Sequence, residues 1–259
     1  MSRGVPAPGP TAVAGAALVN VRLAVVLTIG FPAAAFATNC YVLAPGAGQE
    51  CLVVDPGIGV EQQLAEVLRE HRLKPAAVLL THGHLDHVYS VTPVCGAASV
   101  AAHLHGDDRY RLKDPLSLLD PSLVAMLEQQ FGTAATWREP DDVVSLADQD
   151  TLELAGLTVR VLHAPGHTEG SVMFALPTVP DGAADSGLGS TLLSGDVLFA
   201  GSIGRTDLPG GSFPQLMASM AEKILPMDDD VAVLPGHGPA TTIGRERRTN
   251  PFILELLQS

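Results

Sequence analysis

Short apolar runs alternate along the chain with longer amphipathic stretches, the pattern of a layered α/β protein. Val25 to Ile29 is β-branched and reads as a strand, with Gly30-Phe31-Pro32 as the turn after it. Cys40 to Leu43 and Cys51 to Val54 flank Pro45-Gly46-Ala47-Gly48, a hairpin signature that Asp55-Pro56-Gly57 closes. Between Val60 and Leu73, apolar Leu64, Val67 and Leu68 recur at helical spacing among Glu and Arg. Ala76 to Leu80 is a wholly apolar strand, and Ser99 to Ala102 reads as another. Ser122 to Phe131 is a helix bracketed by Pro121 and Gly132. Leu152 to Leu154 and Leu157 to Leu162 pair about an Ala155-Gly156 turn. Val172 to Leu176 and Thr191 to Ser194 are strands separated by residues 177–190, which look like a flexible loop. Phe213 to Leu225 is a helix and Val231 to Leu234 a last strand.

Composition narrows the picture. With 259 residues, 46% of them hydrophobic, the chain can bury a sizeable core. A net charge of −13 repels phosphate backbones and anionic lipid, so neither nucleic acid nor a membrane surface is an expected partner. Arg245, Arg247 and Arg248 form the densest basic cluster and read as a solvated helix face. Cys40, Cys51 and Cys95 lack CxxC spacing and read as buried hydrophobes of a reducing, cytoplasmic compartment. Residues 11–37 imitate a secretory signal ending in Ala35-Phe36-Ala37, but cleavage there would remove the first strand. Residues 1–20 are read as a loose extension and 21–259 as one domain.

The chemistry concentrates at strand ends. His82, His84, Asp86 and His87 fall within six residues just past the apolar strand that ends at Leu80. His82 and His84 can point the same way and share a cation, while Asp86 and His87 project elsewhere and suit a second one. Packing gives no reason to crowd such groups. Imidazole and carboxylate hold Zn²⁺ or Fe while leaving positions open for water.

The run resembles the HxHxDH signature of the metallo-β-lactamase superfamily. Three further motifs occur in the order that family expects, Ala164-Pro165-Gly166-His167-Thr168, Ser194-Gly195-Asp196 and Leu234-Pro235-Gly236-His237-Gly238. The resemblance spans residues from about 25 to 245. It implies an αβ/βα four-layer sandwich, two face-to-face sheets with helices outside and the site at one edge. It also implies one metal on His82, His84 and His167, another on Asp86, His87 and His237, and Asp196 bridging them. Asp86 and Asp196 are then the acidic groups of the catalytic centre. Such cations lower the pKa of a bound water to near neutrality and stabilise a developing oxyanion.

Four histidines remain. His71 reads as solvated surface, and His103 and His105, which alternate after a strand, as structural. His163 is expected to orient the site, and Asp55 either to do the same or simply to brace its turn.

Gly204-Arg205-Thr206-Asp207-Leu208-Pro209-Gly210-Gly211 resembles the GRTD loop of small glyoxalase II-like proteins and of persulfide dioxygenases. Residues 235–252 resemble the short bacterial glyoxalase II-like group more closely. That resemblance implies a dinuclear thioesterase acting on small-molecule 2-hydroxyacyl thioesters such as S-lactoylglutathione, with two Zn²⁺ expected and Fe as the other metal. Arg205 and Asp207 are the candidate substrate-side residues. Asp196 speaks against an antibiotic-hydrolysing enzyme. Two alternatives stand beside this reading. One is a mononuclear iron dioxygenase using His82, His167 and Asp196; the other is a metal-stabilised protein without catalysis. The helical glutathione-binding domain of full-length glyoxalase II has no counterpart after His237, which leaves the thiol carrier open.

Overall fold

The computed structural model describes Met1 and residues 25–117, 119–131 and 137–258. Most of the expected N-terminal extension therefore lies outside the described residues. β1 (Val25–Pro32), β2 (Asn39–Ala44) and β3 (Glu50–Val54) form an antiparallel meander. Helix α1 (Glu61–His71) returns the chain to β4 (Lys74–Leu79), parallel to β3. After the histidine run come α2 (Leu85–Val88), α3 (Val91–Ala98) and β5 (Ala102–His105), then α4 (Arg109–Lys113), α5 (Pro121–Phe131) and β6 (Val143–Leu146). The second half comprises β7 (Thr151–Leu154), β8 (Leu157–His163), β9 (Val172–Leu176), β10 (Val179–Pro180) and β11 (Ser190–Gly195). A small ribbon of β12 (Leu198–Phe199) and β13 (Ser202–Ile203) precedes α6 (Phe213–Ser219). β14 (Val231–Pro235), β15 (Thr241–Thr242), α7 (Ile243–Thr249) and α8 (Pro251–Leu256) end the described chain.

The strands build two sheets, ordered β10-β1-β2-β3-β4-β5-β6 and β15-β14-β11-β9-β8-β7. Side-chain alternation makes them layers. On β2 to β4, Tyr41, Leu43, Leu52, Val54, Ala77 and Leu79 point inward. They meet Val159, Val161, Phe174, Leu193 and Leu234 of the other sheet. The alternate residues Val42, Val53 and Val78 face outward under Leu64 of α1 and Val91 and Val94 of α3. On the far side Met173, Leu192 and Val233 pack against Leu216 of α6 and Ile253 of α8. Helix, sheet, sheet, helix is the expected four-layer αβ/βα sandwich.

Three sequence expectations are corrected. Gly30-Phe31-Pro32 continues β1 instead of ending it, because the pairing with β2 runs to Pro32 opposite Asn39. The strand read at Ser99 begins at Ala102; Ser99 caps α3 in a left-handed conformation (φ 56°), and β5 carries His103 and His105. The loop 177–190 holds β10, which adds in parallel to the edge of β1. β1 thus lies between β10 and β2, so cleavage after Ala37 would remove an interior strand. The helix expected from Phe213 to Leu225 forms, with its last turn, Met220–Ile224, widened to π geometry.

Candidate metal centre

The site sits where strands of both sheets run out along the same edge. Thr81 and His82 follow β4, His167 lies in the turn between β8 and β9, Asp196 follows β11, and His237 follows β14. A register shift between Leu193 and Gly195, together with a positive φ of 48° at Gly195, turns the chain so that Asp196 faces the cluster. The backbone at Gly236 has no room for a side chain: a Cβ there would overlap Asp196 Oδ1 and lie 2.8 Å from His87 Cε1.

All seven residues of the expected ligand set come together. His82 Nε2 lies 3.1 Å from both His84 Nδ1 and His167 Nε2. Beside them, His237 Nε2 lies 3.2 Å from Asp86 Oδ2 and 3.3 Å from His87 Nε2. Asp196 faces both groups, with Oδ1 3.4 Å from His87 Nε2 and Oδ2 3.5 Å from His167 Nε2 and from His237 Nε2. Asp196 Oδ1 is buried and makes no hydrogen bond.

Hydrogen bonds fix which imidazole nitrogens face the centre. Thr81 donates its hydroxyl proton to Asp55 Oδ2 (2.6 Å), so its oxygen can only accept from His82 Nδ1 at 3.0 Å. His167 Nδ1 donates to the Arg205 carbonyl at 2.7 Å, and His87 Nδ1 to Asp55 Oδ2 at 2.9 Å. In the neutral rings of His82 and His167 this leaves both Nε2 lone pairs aimed at one another across 3.1 Å. Lone pairs so placed repel unless a cation lies between them. The donor set therefore fits divalent metal, as three nitrogens on one side, a carboxylate and two imidazoles on the other, and Asp196 between them.

The electrostatics of the bare chain divide the same way. Burial holds His82 well below the ordinary imidazole range, reinforced by the surrounding histidines, and brings His84 down to about 3. Burial also lowers His167. For His87, burial would do the same, but Asp196, Asp86 and Asp55 outweigh it and push the ring well above its usual value. His237 is raised against burial by its hydrogen bond to Asp86 and by Asp196. Asp86 and Asp196 are both lowered, since neighbouring His87 overcomes the desolvation that would raise them.

Supporting residues tie the loops together. Asp55, at a left-handed φ of 49°, accepts from Thr81 N as well, so its carboxylate supports the site through His87 and Thr81. Thr38 Oγ1 donates to Asp86 Oδ2 at 2.8 Å. Asn39 Nδ2 donates to the Pro235 and Gly238 carbonyls, bracketing His237 from the opposite sheet. The fully buried Asp108 accepts from Gly83 N (2.7 Å), Gly170 N (2.9 Å), Thr168 Oγ1 (2.7 Å) and Arg111 Nε (3.2 Å). Arg111 in turn donates to Glu169 Oε2 and to the Pro209 carbonyl, both at 2.6 Å. One carboxyl group and one guanidinium thus join the loops that carry His82 and His84, His167 and the GRTD segment. Sequence reasoning missed Asp108, Arg111 and Thr38; they are isolated polar residues with no motif spacing, and only burial reveals them.

The remaining candidates lie further out. His163 touches none of the seven. Its Nε2 meets the Glu169 carbonyl at 2.9 Å and its ring stacks on His105 at 4.0 Å. Arg205 and Asp207 form an exposed bidentate pair beside the cleft, Nε–Oδ1 2.8 Å and Nη2–Oδ2 2.6 Å. His103 is buried in β5, away from the cluster.

Residues 33–237 match the sequence profile of the metallo-β-lactamase superfamily. The chain belongs to that superfamily. It is 34% identical over 222 residues to hydroxyacylglutathione hydrolase GloC of Haemophilus influenzae, covering 86% of this chain and 95% of the relative. Among solved structures it is similar to the BLEG-1 B3 metallo-β-lactamase, with a TM-score of 0.69 and 36% identity over 88% of this chain and 99% of the other. It is also similar to TTHA1623, solved in a di-iron-bound form, with a TM-score of 0.68 and 34% identity over 86% and 99%. The chain is thus a hydrolase of the metallo-β-lactamase superfamily whose clustered histidines and aspartates fit a divalent metal site.

Proposed function

We propose that the chain is a thioesterase that cleaves small-molecule 2-hydroxyacyl thioesters, with two divalent metals held by the seven clustered side chains. The observation that carries this reading is Asp196, whose two oxygens face the two histidine groups in a chain related to GloC. His82, His84 and His167 would hold one cation, Asp86, His87 and His237 the other, and Asp196 would bridge them; zinc is the proposed metal and iron the competitor. Bound there, such cations supply a Lewis acid and activate water at neutral pH.

The protein's own contribution is orientation and charge. Asp55, Thr81 and the Arg205 carbonyl lock ring tautomers so that each Nε2 faces inward. The carboxylates of Asp86 and Asp196 would offset the repulsion between two cations held there. Net chemistry adds water across the acyl carbon, breaks the carbon–sulfur bond and releases a hydroxy acid and a free thiol.

Metal analysis of protein made without added metal, followed by assays on S-lactoyl thioesters of several thiols, tests the proposal. Two metals per chain with thioester turnover are expected. Loaded protein that cleaves none of them would refute it. A second reading, β-lactam hydrolysis, has the likeness to BLEG-1 behind it. Nitrocefin turnover exceeding that of every thioester would favour it. One iron per chain with oxygen uptake on a persulfide would instead favour the dioxygenase.

A further inference from the structure

The metal cluster opens into a cleft of about 380 Å³ whose walls are largely apolar. Phe36, Leu119 just before α5, Leu123 within it and Leu208 all line the cleft. Phe36 is 48% exposed and sits in the left-handed region at φ 59°, followed by Ala37 at φ 53°. L side chains avoid that region, and a large aromatic held there in solvent gains little from packing. The chain pays this strain at the rim of its reactive centre.

The two guanidinium groups lining the cleft are already engaged. Arg111 is engaged by Asp108, Glu169 and the Pro209 carbonyl, and the fork of Arg205 is engaged by Asp207. Asp120 adds a negative charge, spent on capping Ser122. A carrier thiol bearing carboxylates would meet these pairs and a chain of net charge −13. An uncharged, apolar carrier would meet an aromatic face and two leucines.

We propose that Phe36, Leu119 and Leu123 form an apolar slot that selects thioesters whose leaving thiol is uncharged and apolar. This rests on the thioesterase reading and names the substrate class of that site. The test uses S-lactoyl thioesters of straight-chain alkyl thiols, which differ in length but hardly in leaving-group chemistry, alongside S-lactoylglutathione. In the metal-loaded protein, kcat/KM should rise about fourfold per methylene until the slot is filled, and exceed the value for the glutathione thioester.

Phe36→Gly removes the ring and relieves the positive φ, so its Tm should not fall while the dependence on chain length flattens. Calorimetry with non-hydrolysable alkyl thioethers reads the same slope without turnover. A thioether affinity that climbs with length and flattens in Phe36→Gly supports the slot even if no thioester is cleaved, in which case the thioesterase reading alone falls. Turnover that is flat in chain length, best with glutathione, or unchanged in slope in Phe36→Gly overturns the slot and leaves the thioesterase intact.

Discussion

Asp108→Ala is the most informative single perturbation of the scaffold. The side chain is fully buried and lies outside the metal cluster, yet it receives three hydrogen bonds from the loops on which His82, His84 and His167 ride and a fourth from Arg111 of α4. Alanine leaves Gly83 N and Gly170 N without acceptors and deprives Arg111, itself 1% exposed, of one of its carboxylates. Removing one partner of a buried charged pair costs about 3–5 kcal/mol. Part of that is recovered because Thr168 keeps Ser171 as a partner and Arg111 keeps Glu169. A net loss of about 3 kcal/mol is expected, a fall in Tm of about 10 °C for a domain of this size. Misplacing Gly83 between two histidines of the cluster should also lower metal content, because convergence of lone pairs needs positions held to about 0.5 Å. The assay is thermal unfolding of metal-loaded and stripped protein, with metal counted by mass spectrometry. Asp108→Asn, which keeps an acceptor oxygen, should lose about half as much. A variant whose Tm and metal content both match the parent would refute the argument that this carboxyl group organises the site.

Other outcomes follow from the same geometry. Asp196→Ala should lower metal occupancy and cut activity by orders of magnitude, whereas His103→Ala should leave metal content unchanged; mass spectrometry and the thioester assay read both. Gly236→Ala places a methyl against Asp196 and His87, so metal content should fall more than the circular dichroism of the fold changes. Metal affinity should depend on pH unequally. His87 and His237 are raised in the bare chain, so a cation there must displace protons and binds more weakly as pH falls. His82, His84 and His167 are lowered and already deprotonated near neutrality. Acidification below pH 7 should therefore empty the Asp86, His87 and His237 side first, measured by metal stoichiometry after dialysis across pH; simultaneous loss from both sides would contradict it.

The site was legible in sequence because its donors are written as contiguous motifs at strand ends. His82 to His87 follow an unbroken apolar run, and His167, Asp196 and His237 each sit beside glycine in a short turn. What sequence could not show is what holds them. Thr38, Asp108 and Arg111 act through contacts between residues 25 to 98 positions apart, and nothing local marks them. The fold errors have physical causes too. Pro32 reads as a breaker, yet at the last rung of β1 its fixed φ suits an extended chain and the strand continues to it. Val179-Pro180 is too short to register as a strand and exists because β1 offers it an edge. His103 and His105 look like a ligand pair by spacing, but His103 is buried in β5 away from the cluster and His105 stacks on His163.

The division of the seven donors between the two sheets has a mechanical side. Four come from the run after β4 and three from turns of the other sheet, so a bound ion would act as a clasp across the open edge of the sandwich. The apolar interior between the sheets does not depend on that clasp. Stripping the ion should loosen the seam at its rim and not dissolve the sandwich. Hydrogen exchange would then quicken around 82–88, 166–170, 195–197 and 235–238 while β2, β3 and β9 keep their protection.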